Sequence, residues 1–144
     1  MTPDVKMLVA ASRSDPPHHA TALSWLDDAL ANCARGERLR LLPVVMAGFP
    51  RRVTHPRVFV ESTPPEAAHA FVGALLQAQG VELLTLGAEW PLLEPLCQKH
   101  GLTGNGISDG WIAAAVLARQ ECLATFDRDF RRLLPSRQLQ LLKV

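Results

Sequence analysis

The chain has 144 residues, 15 of them basic and 14 acidic, for a net charge of +1. That length suits one compact domain, taken as residues 1–144, and is short for two ordinary ones. With 48% hydrophobic and 20% charged residues, the composition excludes a disordered tail protein, and the averaged charge gives no sign of a basic nucleic-acid wrapper.

In chain order, residues 5–10, which lead into the apolar run Met7 to Ala11, read as a short buried strand, closed by the polar, Pro-bearing turn at 12–17. This run is too short for a secretory core and lacks a basic lead. No stretch approaches the length of a membrane span, so a cytoplasmic protein is expected. Ala22, Trp25, Leu26, Ala29, Leu30 and Cys33 recur at helical spacing over 18–33, and Gly36 serves as the stop. Residues 39–42 form a second strand. The apolar segment 44–53 contains Gly48 and Pro50, so a helix there is expected to bend. Thr63 with Glu66 marks a helix start running to about Gln79. A third strand is expected over 81–86, a helix over 89–100, a Gly-rich loop over 101–106, and a helix over 109–119 capped by Ser108. A fourth strand over 122–126, a helical turn over 127–134 and a fifth strand over 139–144 complete the chain. Such alternation predicts a parallel sheet covered on both faces. Cys33, Cys97 and Cys122 are odd in number, widely spaced and without a C-x-x-C pair, so free buried thiols are expected. Trp25, Trp90 and Trp111 sit in helical apolar patterns and are expected in the core.

Ligands of open α/β sheets bind beyond the carboxyl ends of the strands. Asp127 and Asp129 follow the fourth strand, Asp109 starts a helix after the Gly-rich loop, and Asp4 opens the first strand. Helix capping alone accounts for Asp109 and Asp127, whereas an acid at the start of a buried strand has no local reason to be there. Carboxylates converging without Cys or His suit a hard cation such as Mg²⁺ or Mn²⁺, which activates water and stabilises charge on a phosphoryl group.

Five segments carry a family resemblance. They are Pro3 to Ala11; His18-His19-Ala20 with Trp25-Leu26; Phe49-Pro50-Arg51 running through Thr54, Pro56 and Arg57 to Phe59; Gly104-Asn105 with Ser108-Asp109 and Ile112-Ala113-Ala114; and Thr125-Phe126-Asp127-Arg128-Asp129-Phe130. In this order they resemble the PIN-domain ribonucleases, specifically VapC-type toxins of type II toxin–antitoxin pairs. The resemblance implies a three-layer α/β/α sandwich with a central five-stranded parallel sheet. It implies a Mg²⁺-dependent endoribonuclease leaving 5′-phosphate ends, a cognate antitoxin, and a homodimer or a toxin–antitoxin hetero-oligomer. By its pattern Asp4, Asp109 and Asp127 are the catalytic metal ligands, Asp129 sits at the edge of the metal site, Thr125 orients a ligand or water, and Arg51, the Arg of the F-x-R segment, either meets RNA or pairs structurally with an acid of the pocket.

Two positions depart from that pattern. Lys6 stands where the family usually has Asn, and Gly48 where it usually has Glu. Read as two residues along a strand from Asp4, Lys6 either competes with the cation for Asp4 or contacts an RNA phosphate. An alternative reading is a weakened PIN fold that binds RNA or the antitoxin without cutting. A phosphatase using Asp127 and Asp129 is disfavoured, because its D-x-D pair normally opens the chain, and 101–106 lacks dinucleotide-binding spacing. The charge is also segregated. Residues 35–57 carry six basic and one acidic side chain and residues 128–144 five and one, while 1–34 and 101–127 are each net −2 and hold Asp4, Asp109 and Asp127. Basic segments flanking an acidic pocket can bind RNA locally despite the neutral average.

Overall fold

The computed structural model describes residues 1–85, 87 and 89–143. Strand β1 is only Thr2–Pro3, and Val5–Ser12 forms helix α1. Residues 5–10 are therefore helix, not the strand expected from the sequence. Asp4 sits in extended geometry, and its Oδ1 accepts a hydrogen bond from Met7 N at 2.8 Å, which makes it the N-cap of α1. Met7, Leu8, Val9, Ala10 and Ala11 are all buried because α1 is enclosed by α2 (His19–Cys33), α3 (Pro43–Val53) and strand β4 (Leu123–Thr125). A helix covered on most sides shows no single apolar stripe.

Strand β2 (Leu39–Leu41) leads into α3, which holds Pro50 within it. Helix α3 lies so close to α1 that a Cβ on Gly48 would meet Val5 Cγ2 at 2.8 Å. Helix α4 spans Pro65–Gln77 with Pro64 in the cap position. The expected Thr63 cap is not formed; instead Thr63 Oγ1 accepts a hydrogen bond from Arg13 Nη1 at 2.9 Å. Strand β3 is Val81–Leu83; Leu86, the expected far end of that strand, lies outside the described residues. Helix α5 spans Trp90–His100, and Gly101 ends it at φ +60°, a left-handed conformation suited to glycine. Helix α6 spans Asn105–Arg119. It begins four residues earlier than expected, so Ser108 is no cap and Asp109 stands in the second turn. After β4, Asp127 accepts from Asp129 N and opens a 3₁₀ turn over Arg128–Arg132. Strand β5 is Leu139–Leu141; Val144 lies outside the described residues.

The strands pair in parallel as β1-β4-β5 and as β2-β3. The single five-stranded sheet of the sequence reading is thus two ladders of three and two, which meet where Arg40 N donates to Met1 O at 2.9 Å. Proline explains the break. Thr2 N and Asp4 N both donate toward β4, so the intervening nitrogen faces β2, and on Pro3 that nitrogen carries no hydrogen.

The core runs through α1, α2, α3, α6 and β4, with Phe49, Phe130, Met7 and Leu8 among its largest fully buried side chains. Trp25 belongs to it at 8% exposure, but Trp90 at 65% and Trp111 at 37% are surface residues, contrary to the sequence reading. Helix α6 turns Gly110, Ile112, Ala113, Ala114, Ala115 and Val116 inward, which leaves Trp111 outside. All three cysteines are free, with Cys33 buried and Cys97 and Cys122 half-buried.

Candidate active site

The register Pro3↔Ala124 between β1 and β4 places the next residues, Asp4 and Thr125, side by side at the carboxyl ends of adjacent parallel strands. Asp4 is buried at 4% exposure and Thr125 at 0%. Thr125 Oγ1 accepts a hydrogen bond from Asp127 N at 3.0 Å and donates its own hydrogen to Asp4 Oδ2. A hydroxyl has one hydrogen to give. The Asp127 amide can only donate, so it takes an acceptor lone pair and directs the hydroxyl hydrogen onto Asp4. Thr125 thereby locks the Asp4 carboxylate and the backbone of Asp127 into one arrangement. Asp4 uses its other oxygen to cap α1.

Asp127 Oδ1 accepts from Asp129 N at 2.9 Å, while Oδ2 lies 3.7 Å from Lys6 Nζ. Lys6 is in the first turn of α1, not on a strand beside Asp4, and its charged contact is with Asp127. Asp109 reaches the same region from α6. It is half-buried, and no hydrogen bond to its carboxylate is formed among the described residues. Burial, the largest cause, pushes the Asp4 carboxyl up to about 6; its bonds to Thr125 and Met7 and the Lys6 ammonium pull it down, and the Asp127 charge adds to the rise. The Asp109 carboxyl is also raised, first by burial and then by the charge of Asp127, with Lys6 opposing and Asp129 adding a smaller push. Asp4, Asp109 and Asp127 thus share one electrostatic neighbourhood. Asp129 is at its exposed edge, and Lys6 is its counter-charge.

Among the described residues, no three His, Cys, Asp or Glu side chains form a closed group that could hold an ion. The donors are all carboxylate oxygens, the type a hard cation prefers. Mg²⁺ is ordinarily held by one or two carboxylates, waters and substrate phosphate rather than by an all-protein cage. The pocket fits that mode of binding.

A cleft of about 560 Å³ adjoins the carboxylates. Lys6 and Asp127 line it together with His18, Arg52, Phe59 and Phe126. Arg51 is exposed near the end of α3 and is not among the cleft residues, whereas Arg52 is. The sequence pattern singles out Arg51, whereas the arginine that lines the cleft is its neighbour Arg52. That pattern also left His18 and Phe59 without a role, since their nearness to Asp127 depends on how α1 and the segment after α3 fold back together.

Glycine at 48 is now explicable. A glutamate there would drive a Cβ into Val5, so the close approach of α3 to α1 takes the place of the additional acid. At the other departure, the Lys6 ammonium neutralises part of the charge that the remaining acids concentrate.

The PIN domain family model matches residues 1–133. Ribonuclease VapC43 of Mycobacterium tuberculosis is 38% identical over 130 residues, which cover 90% of this chain and 86% of the relative. Ribonuclease VapC31 of the same species is 32% identical over 139 residues, 95% of both chains. Among solved structures, VapBC2 from Rickettsia felis, bound to a DNA fragment from the complex's own promoter, aligns with a TM-score of 0.65 at 20% identity, covering 97% of this chain and 96% of that one. FitAcB from Neisseria gonorrhoeae aligns with a TM-score of 0.53 at 17% identity, covering 88% and 86%. With the fold, the acidic pocket and these relatives in agreement, the chain belongs to the PIN-domain family, on its VapC ribonuclease branch.

Proposed function

We propose that the protein is the toxin of a type II toxin–antitoxin pair and acts as a Mg²⁺-dependent endoribonuclease, with Mn²⁺ as an alternative ion. The observation that carries this reading is the bonded chain from the Asp127 amide through Thr125 to Asp4 at the strand ends, with Asp109 close enough to feel Asp127. Asp4, Asp109 and Asp127 would hold the cation, and Asp129 would assist at the edge. Such an ion supplies Lewis acidity to the phosphoryl group and makes a water more acidic. The protein's own part is positional. Thr125 fixes the direction of the Asp4 carboxylate, the cap of α1 anchors its second oxygen, and burial keeps bulk water from that carboxylate. Lys6 and the exposed Arg51 and Arg52 offer cations to RNA phosphates.

In this reading residues 1–144 act as one domain in the cytoplasm, where the RNA is. The partners are a cognate antitoxin and the RNA substrate, in a homodimer or a toxin–antitoxin hetero-oligomer. The relatives' names and the VapBC2 complex support an antitoxin, and no described helix is long and apolar enough to cross a membrane. A reading in which the fold binds without cutting draws on Lys6 within the acidic pocket. One experiment separates the two. The chain is purified with the product of its neighbouring upstream reading frame, released from it, and incubated with stem–loop RNA. Cleavage that needs Mg²⁺ and vanishes in Asp109→Asn supports the enzyme; RNA binding without cleavage at any Mg²⁺ concentration supports the binding module.

A further inference from the structure

The cleft beside the acidic pocket has features that holding a cation does not require. Its volume, about 560 Å³, lies in the roughly 300–1,000 Å³ range of clefts that enclose small organic groups. One wall is aromatic. The His18 and Phe126 rings stack with centroids 4.3 Å apart and planes 19° from parallel. The imidazole is held by its face, because its Nδ1 is buried with no hydrogen-bond partner among the described residues. Phe59 lines the same cleft and is held from one side by the Arg13 guanidinium, 4.0 Å from its ring centroid. Arg13 in turn is tied to Asp15 at 2.6 Å, to Thr63 Oγ1 at 2.9 Å and to Glu61 O at 2.8 Å. The wall is therefore built before any ligand arrives. At the end nearer the carboxylates stand Lys6 and Asp127, with the exposed Arg52 and Arg128 also lining the cleft.

We propose that this cleft is a nucleobase subsite, which takes the base of the nucleotide next to the scissile phosphate and stacks it on the Phe59, His18 and Phe126 wall. The inference rests on the ribonuclease reading and deepens it. Single-stranded RNA is recognised by bases splayed out onto aromatic and imidazole planes, and flanking cations meet the phosphates on either side. Because Lys6 and Asp127 belong to both the cleft and the acidic pocket, a nucleotide whose phosphate lies at the carboxylates can extend its base here without crossing bulk solvent. This continuity with a phosphodiester site favours a nucleotide over a protein segment as the occupant.

The test uses a trinucleotide carrying 2-aminopurine at its centre, mixed with the full chain in EDTA so that nothing is cut. Stacking in the cleft quenches the fluorophore. Phe59→Ala and His18→Ala each weaken binding about tenfold, while Phe59→Tyr, which keeps the ring, restores it. A trinucleotide with no base at its centre binds the wild type about tenfold more weakly and does not respond to Phe59→Ala. Thermal melts report whether each variant folds, and the abasic comparison on the wild type needs no variant. Equal binding of the abasic and normal trinucleotides, or a folded Phe59→Ala protein with unchanged affinity, overturns the proposal. So does failure to bind any trinucleotide combined with protection of Phe59 by a co-purified protein, which would make the cleft a protein groove. Failure of the wild type to cleave RNA in Mg²⁺ would count against the ribonuclease reading, whereas the base-binding measurement stands without turnover.

Discussion

Replacing Lys6 with Gln removes an ammonium placed among the acids while keeping most of the side chain's length. Its nitrogen lies 3.7 Å from Asp127 Oδ2, and the two side chains are 56% and 21% exposed. At about 4 Å a charge pair is worth about 1 kcal/mol in water and about 4 at an effective dielectric of 20. The exposure of Lys6 places this pair toward the weaker end. A divalent cation approaching Asp127 must displace the ammonium or share the carboxylate with it, so its removal should tighten cation binding by roughly 1–2 kcal/mol, about five- to thirtyfold. Little stability should be lost, because a cation in the first turn of α1 opposes the helix dipole and offsets the ion pair. Mn²⁺ titration followed by electron paramagnetic resonance, at fixed ionic strength, reads the affinity directly. In EDTA, the same variant tests the second role: if Lys6 contacts a phosphate, the salt dependence of RNA binding loses about one unit of slope. Unchanged Mn²⁺ affinity in Lys6→Gln would refute competition for the acidic pocket.

Three further outcomes follow from the geometry. Asp4 is raised from 3.8 to about 6 by burial, so the folded state binds this proton more tightly than the unfolded chain. The stability it contributes is full below the unfolded value and is lost as pH rises through the folded one. In EDTA the wild type should therefore lose several degrees of melting temperature relative to Asp4→Asn as pH rises from about 4 to about 7, whatever constant cost the Asn amide adds beside the Thr125 hydroxyl; a difference between the two that does not change with pH would contradict this. Thr125→Val strips Asp4 of its donor and the Asp127 amide of its acceptor, and should cost about 1–3 kcal/mol in urea denaturation, with Thr125→Ser recovering most of it. Gly48→Ala pushes a Cβ against Val5 and should cost about 1–3 kcal/mol. The double variant with Val5→Ala should be less destabilised than the two singles together; simple additivity would show that the contact is not the cause.

The candidate acids were legible as a group because each lies at a strand end or helix turn that a local motif marks. The element bearing Asp4 was not. A short apolar run such as Met7 to Ala11 fits a buried strand and a buried helix equally well, and only the chain's third dimension shows α1 enclosed. The cue present in the sequence was Asp4 itself, an N-cap residue followed by good helix formers. That misreading also misplaced Lys6, since period-two geometry aimed it past Asp4 whereas the helical turn carries it to Asp127. Helix α6 starts at Asn105 rather than after Ser108 because Gly104 reaches φ +55° and lets the chain turn early. The division of the strands into two ladders was likewise hidden, because it depends on which edge the nitrogen of Pro3 faces.

If the pocket at the ends of β1 and β4 hydrolyses RNA with water as the nucleophile, the product ends record it. End-labelled stem–loop RNA incubated with the wild type and with Asp109→Asn, in Mg²⁺ and in EDTA, followed by chemical analysis of the product ends, tests it most directly. Fragments bearing 5′-phosphate and 3′-hydroxyl ends are expected from the wild type in Mg²⁺ alone. Ends bearing a 2′,3′-cyclic phosphate, formed equally in EDTA and by Asp109→Asn, would place the nucleophile on the RNA and contradict hydrolysis by water.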